Sequence, residues 1–261
     1  PNLNGISAQS WDMKAMIKFI MLSKTYQQSS SASESLYQKD PDNRLLARGP
    51  RLRLPAEIIR DQALASSGLL VPKIGGPSAR PYMPEKVWDE TSTFGNLLNY
   101  KADQGDGLYR RSIYTIWKRT AAPPSMLLFD APNREICMPK RSRTNTPLQA
   151  LALLNEVTYV EAARALAEKM LSIESAKNSE DRLILGYRLA TGSSPNAETL
   201  SILQDGLNKR RKRFLENPEA AKSLINQGSS TFRSGLDEVE LAAYTSTANI
   251  LLNLDRVIMK N

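Results

Sequence analysis

A chain of 261 residues with 41% apolar content is long enough to bury one large core or two small ones. It carries 35 Lys and Arg against 27 Asp and Glu, a formal charge of +8, and no apolar run approaches the ~18 residues of a membrane span, so a soluble chain is expected. With no histidine and one cysteine, the chain by itself excludes Ser-His-Asp and Cys-His nucleophile pairs, His-ligated zinc, an intrachain disulfide and a Cys-x-x-Cys haem-attachment motif.

Taken in chain order, the start at Pro1 reads as a fragment or a processed product. Residues 10–28 predict a helix capped by Ser10, with Trp11, Ala15, Ile17, Met21 and Leu22 on a buried face and the serines 29–33 ending it. Asp40-Pro41-Asp42-Asn43 marks a turn. A second helix starts near Pro55 and stops at Gly68, which suits a left-handed cap. Residues 69–107 form a Gly/Pro-rich irregular region. Tyr109, Ile113, Ile116 and Trp117 fall at helical spacing, so residues 108–119 predict a short amphipathic helix, with a strand left open at Tyr114-Thr115-Ile116.

Pro123-Pro124 stops that element, and loop or extended chain follows through Lys140. Thr146 caps the next helix with Pro147 in its first turn, and Leu148, Leu151, Ala152, Asn155, Tyr159, Ala162, Ala163, Leu166 and Met170 trace one stripe. Asn155 is the polar member, marking either a break or a buried amide. Further helices are expected over 180–190 with Ser179 as cap, after Ser194-Pro195, over 218–226, and from an Asp237 cap to Ile258. The sum is an all-α, irregular helical domain over residues 1–261, with long Gly/Pro-rich loops, room for a short β-hairpin, and a basic core segment at 108–156.

Several ordered segments carry a family likeness. They include residues 22–30 (LSKTYQQSS), 40–46 (DPDNRLL), 53–61 (RLPAEIIRD), Gly75-Gly76-Pro77-Ser78 with Pro81-Tyr82, 109–114 (YRRSIY), 141–150 (RSRTNTPLQA) and 251–255 (LLNLD). In these the chain resembles a planctomycete-specific domain of unknown function that follows planctomycete cytochrome c-type domains in secreted multidomain proteins. The resemblance implies an extracytoplasmic location and upstream domains of the same polypeptide as partners, with any haem held there and no cofactor or metal in this chain.

Charge is concentrated between residues 107 and 146, where Arg110, Arg111, Lys118, Arg119, Arg134, Lys140, Arg141 and Arg143 face only Asp130 and Glu135. Arg110, Arg111, Lys118, Arg119, Arg141 and Arg143 form a candidate anion-binding face, with Tyr109 and Trp117 (or Tyr114) to stack on a sugar or base. The competing reading pairs these arginines with Asp61, Asp130 or Glu135 to tie loops to helices. Residues 209–213 (KRRKR) wrap around a helix rather than forming one face, which disfavours nucleic acid. Asp130 and Glu135 are weak candidates for an acid/base pair because neighbouring arginines keep both ionised. The 40–45 turn lacks the glycine and ligand spacing of a calcium loop. Gly75-Gly76-Pro77-Ser78 reads as a tight turn, and Cys137 as a small buried residue unless exposed.

The function expected is a non-catalytic module of a larger extracytoplasmic, cytochrome-associated protein, serving assembly and binding an anionic polysaccharide. The alternative is part of an enzyme or electron-transfer protein whose site an upstream domain completes.

Overall fold

The structure, a computed structural model, describes residues 2–3, 6–7, 10–88 and 100–260. The fold is mostly α, 52% helical, with two-stranded antiparallel pairs as its only sheets among the described residues. Two compact units form: Pro1–Arg53 with Met259–Asn261, and Leu54–Ile258.

In the first unit, β1 (Asn2–Leu3) pairs antiparallel with β2 (Ile6–Ser7), and β3 (Leu52–Arg53) pairs antiparallel with β4 (Met259–Lys260). Helix α1 spans Met13–Met21, shorter than residues 10–28, and its cap is Asp12 rather than Ser10: Asp12 Oδ1 accepts from the Ala15 N–H at 2.9 Å. The expected buried face is also wrong. Ala15 is buried, but Trp11 is 95% exposed and Ile17, Met21 and Leu22 are about half exposed. Helix α2 (Glu34–Lys39) was not expected, because six residues are too few to show a periodicity.

Beyond α2, the Asp40 carboxylate accepts from the N–H groups of Arg44 and Leu45, both at 2.8 Å. Buried Arg48 donates to the Asp40 and Pro41 carbonyls and lies over the Tyr37 ring. The acidic turn is a clamp held by an arginine.

The second unit is built on α10 (Glu238–Leu252), whose buried residues lie on every side of the helix. It packs on α6 (Val157–Ser172), α8 (Ala197–Glu216) and α9 (Pro218–Ile225). Alanines at 162, 163 and 167 on α6 and at 242, 243 and 248 on α10 are buried, and side chains this small let two helices approach closely. Leu166, Leu241 and Leu251 fill the remainder, each burial contributing roughly 2 kcal/mol. Helix α7 (Ser179–Thr191) and the short α11 (Asp255–Ile258) complete this end. Asn178 rather than Ser179 caps α7, and Asn196, just after Ser194-Pro195, caps α8, each with its side-chain carbonyl. Asp237 caps α10 as expected, but that helix ends at Leu252 and α11 is separate, so the single helix expected to Ile258 is two.

Helix α3 (Ala56–Ser67) follows Pro55 and ends at Gly68, whose φ of 84° bears out the left-handed cap. Helix α5 (Pro147–Asn155) begins at the expected Thr146 with Pro147 in its first turn, and Gln149 Oε1, which was not anticipated, accepts from the Thr146 N–H at 3.3 Å to complete a capping box. The single stripe from Leu148 to Met170 breaks at Glu156, an extended residue (ψ 136°) whose carboxylate caps α6. Asn155 is exposed and bonds back to the Leu151 carbonyl, so it marks the break and is no buried amide.

Residues 108–119 are not a helix. They form 3-10 turns at Gly105–Tyr109 and Ser112–Tyr114, then extended chain. The reason is non-local hydrogen bonding along the Gly/Pro region. The Val71 N–H donates to the Tyr109 carbonyl and the Ala79 N–H to Tyr114, while Ile116 donates back to Ala79. Isolated parallel bridges at Arg110 and Thr115 result, so the open strand reading at Tyr114–Ile116 was the nearer one. A short α4 (Pro124–Leu128) interrupts the expected loop. Of the irregular region 69–107, residues 89–99 lie outside the described residues.

A candidate ligand-binding cleft

Arginine 60 organises the site from beneath. It is 5% exposed, and its guanidinium donates to the carbonyls of Leu108 (2.6 Å) and Arg110 (2.9 Å) and to Ser112 Oγ (3.2 Å). Burial lowers its pKa from the ordinary guanidinium value. Asp61, next on α3, accepts from the Ser112 N–H at 2.7 Å. Two successive helix residues thus fix the turn between Leu108 and Ser112 on α3.

Beside this junction opens a cleft of 640 Å³. One wall is the outer face of α3, where Glu57, Ile58 and Asp61 follow Pro55. Arg111, Tyr114 and Trp117 also line the cleft, together with Met126 of α4 and Ile74 of the Gly/Pro region. Arg134 and Arg141 reach in from the loop before α5. The lining is therefore an apolar and aromatic surface carrying three guanidinium groups and two carboxylates.

The charges are partly matched. Arg141 bonds Glu57 at 2.8 Å, with the two side chains 40% and 26% exposed. Burial alone would raise the Glu57 pKa, but the hydrogen bond and charge of Arg141, with help from Arg134, hold it below the usual glutamate value. Arg111 Nε stands 3.8 Å from Asp61 and leaves its side chain 53% exposed. Arg134 lies over the Trp117 ring, 4.7 Å from its centre, and the indole N–H donates to the Asn133 carbonyl at 3.1 Å. These guanidinium groups keep donors free in an open cleft, where each exposed ion pair is worth only ~0–1 kcal/mol.

Of the residues expected to form an anion-binding face, the structure brings Arg111, Arg141 and Trp117 into this cleft. The others lie elsewhere. Arg110 is 7% exposed; it donates to the carbonyls of Lys73, Gly75 and Pro77 and stacks on Tyr114, 4.1 Å from the ring centre. It locks the 73–77 turn and has no free face for a ligand. Tyr109 is buried and donates to Glu161 Oε1 at 2.8 Å. Lys118 lies over the Trp88 ring, while Arg119 and Arg143 are exposed away from the cleft lining.

Asp130 accepts from the N–H and hydroxyl of Thr144, which makes it a loop clamp rather than half of an acid/base pair with exposed Glu135. Cys137 is exposed, on the loop between Arg134 and Arg141. Glu57, Asp61 and Arg134 were missed as site residues. The four-residue spacing of Glu57 and Asp61 on an expected helix was a usable signal for a shared face. Arg134 sits at a φ of 65°, a backbone turn with no composition signature.

A family comparison bears on this region. A profile described as PSD1, a protein of unknown function (DUF1553), matches residues 4–207, which include every residue lining the cleft. The chain belongs to the PSD1 family. No curated protein and no solved structure matches it. Within this PSD1 chain, α10 lies beyond the matched residues although it forms the centre of the second unit. Among the described residues, no group of His, Cys, Asp and Glu is arranged to hold a metal ion, and no helix is long and apolar enough to cross a membrane.

Proposed function

We propose that this PSD1 chain is a non-catalytic binding module whose cleft holds an acidic polysaccharide. The observation that carries the reading is the meeting of Arg111, Arg134 and Arg141 with the Trp117 and Tyr114 rings in one 640 Å³ space. Guanidinium forks grip a sulfate or carboxylate bidentately, and what the Trp117 and Tyr114 rings leave uncovered by Arg134 and Arg110 adds apolar surface for a sugar. A cleft of this size lies within the range of small-molecule sites and has room for a short stretch of a longer chain. Binding is favoured over hydrolysis because a glycosidase needs one carboxyl group kept protonated, whereas arginines stand against both Glu57 and Asp61. The resemblance to domains that follow cytochrome c-type domains supports an extracytoplasmic location and an assembly role beside upstream, haem-bearing domains.

Calorimetric titration with sulfated and uronate oligosaccharides at low and high salt tests the cleft. The expected result is salt-sensitive binding that falls about tenfold or more in Arg111→Ala and in Trp117→Ala, the range for a lost charge-assisted hydrogen bond or stacking face. Lack of binding, or binding unchanged in both variants, would sink the proposal.

A further inference from the structure

Helix α1 presents an apolar stripe that the first unit leaves uncovered. Met13, Met16, Ile17, Ile20 and Met21, spaced three and four apart, are 48–65% exposed, and Trp11 just before the helix is 95% exposed. Ala15 is buried and Phe19 half-buried, so the helix is held by one side and apolar on another. Exposed Lys14 and Lys18, four apart, run along the border of the stripe, and Lys24 follows the helix. No Asp or Glu occurs between residues 13 and 33.

A cationic border restricts what covers this face. Pairing with a second copy would bring lysine rows together, which opposes association. An anionic surface satisfies the lysines and the stripe at once. Tryptophan, methionine and isoleucine on one side with lysine beside them is the arrangement of helices that lie in the headgroup region of a bilayer, and α1, with nine residues, lies on such a surface rather than crossing it. We propose that the first unit docks α1 on an anionic lipid surface, with Trp11 and the Met/Ile stripe in the headgroup boundary and Lys14 and Lys18 against lipid phosphates. This is independent of the cleft.

Co-sedimentation of the full chain with phosphatidylglycerol/phosphatidylcholine vesicles tests it, with tryptophan emission as a second readout. Binding that rises with the phosphatidylglycerol fraction and weakens with salt is expected, together with a blue shift that Trp11→Phe removes. Met16→Glu with Ile20→Glu changes two exposed positions and should lower partitioning at least tenfold with an unchanged circular dichroism spectrum. Lys14→Glu with Lys18→Glu should lower it for anionic vesicles. Absence of binding, or binding indifferent to the Met16/Ile20 pair, overturns the proposal. So does binding lost in Arg111→Ala but kept in the α1 variants, which would assign the lipid contact to the cleft. Vesicle-free self-association abolished by Met16→Glu with Ile20→Glu would instead assign the stripe to a second copy.

Discussion

Glu57 holds one edge of the Arg141 guanidinium in an ion pair at 2.8 Å. Its pKa is depressed, so the carboxylate is ionised at neutral pH and is neutralised only as pH falls through that lowered value. Whatever stability the pair adds is likewise present above the unfolded-state pKa and lost over this acidic range. A sulfate ester stays ionised there. We therefore predict that affinity for a sulfated oligosaccharide rises on acidification through the Glu57 transition, and that Glu57→Gln reaches the higher affinity at neutral pH. The gain is about threefold to tenfold, matching ~1 kcal/mol for a partly exposed pair. Titrations across pH read it directly, and an affinity in Glu57→Gln no higher than in the parent chain would contradict it.

Arg110 works differently because it is buried and its partners are carbonyl oxygens. Arg110→Ala should destabilise the second unit by about 2–4 kcal/mol, since several charge-assisted bonds disappear together. It should also expose the 73–77 turn to proteolysis. Denaturant melts and limited digestion check both, and a variant as stable and as resistant as the parent would show that the turn holds itself.

Among elements, those with strong end signals were legible in the sequence. Gly68, Thr146 with Pro147, and Asp237 each mark a helix end by local chemistry, and α3, α5 and α10 start or stop accordingly. What could not be read was partnership at a distance. Helical spacing from Tyr109 to Trp117 gave way because the carbonyls of Tyr109 and Tyr114 are taken by Val71 and Ala79, some 35 residues earlier. The apolar face of α1 misled for a related reason: periodicity reports a stripe but not what lies over it. Half of the candidate site was visible as an arginine cluster. The division between Arg110, which serves the fold, and Arg111, which faces the cleft, depends on which side of one extended chain each occupies.

Across the whole molecule, local and distant segments depend on one another. The loop after α9 is fixed by Glu161 at the heart of α6, which accepts from the N–H groups of Ser229 and Ser230 as well as from Tyr109. Gly228 has a φ of 90°, and a Cβ there would meet the Glu161 carboxylate at 2.3 Å, so glycine is required. This loop leads into α10, which covers the small residues of α6. We predict that a chain ending at Leu207, where the family match ends, loses cooperative unfolding of the second unit although the whole cleft lining is retained in its sequence. Calorimetry would reveal the loss, and a sharp transition in the shortened chain would show that α10 is dispensable.

The exposed thiol on the loop between Arg134 and Arg141 has a practical consequence at this scale. Because the chain holds one cysteine, a thiol-reactive dye attaches at a single known position. That position is flanked in sequence by two of the cleft's arginines, so this chain carries its own labelling handle for testing whether an oligosaccharide enters the cleft.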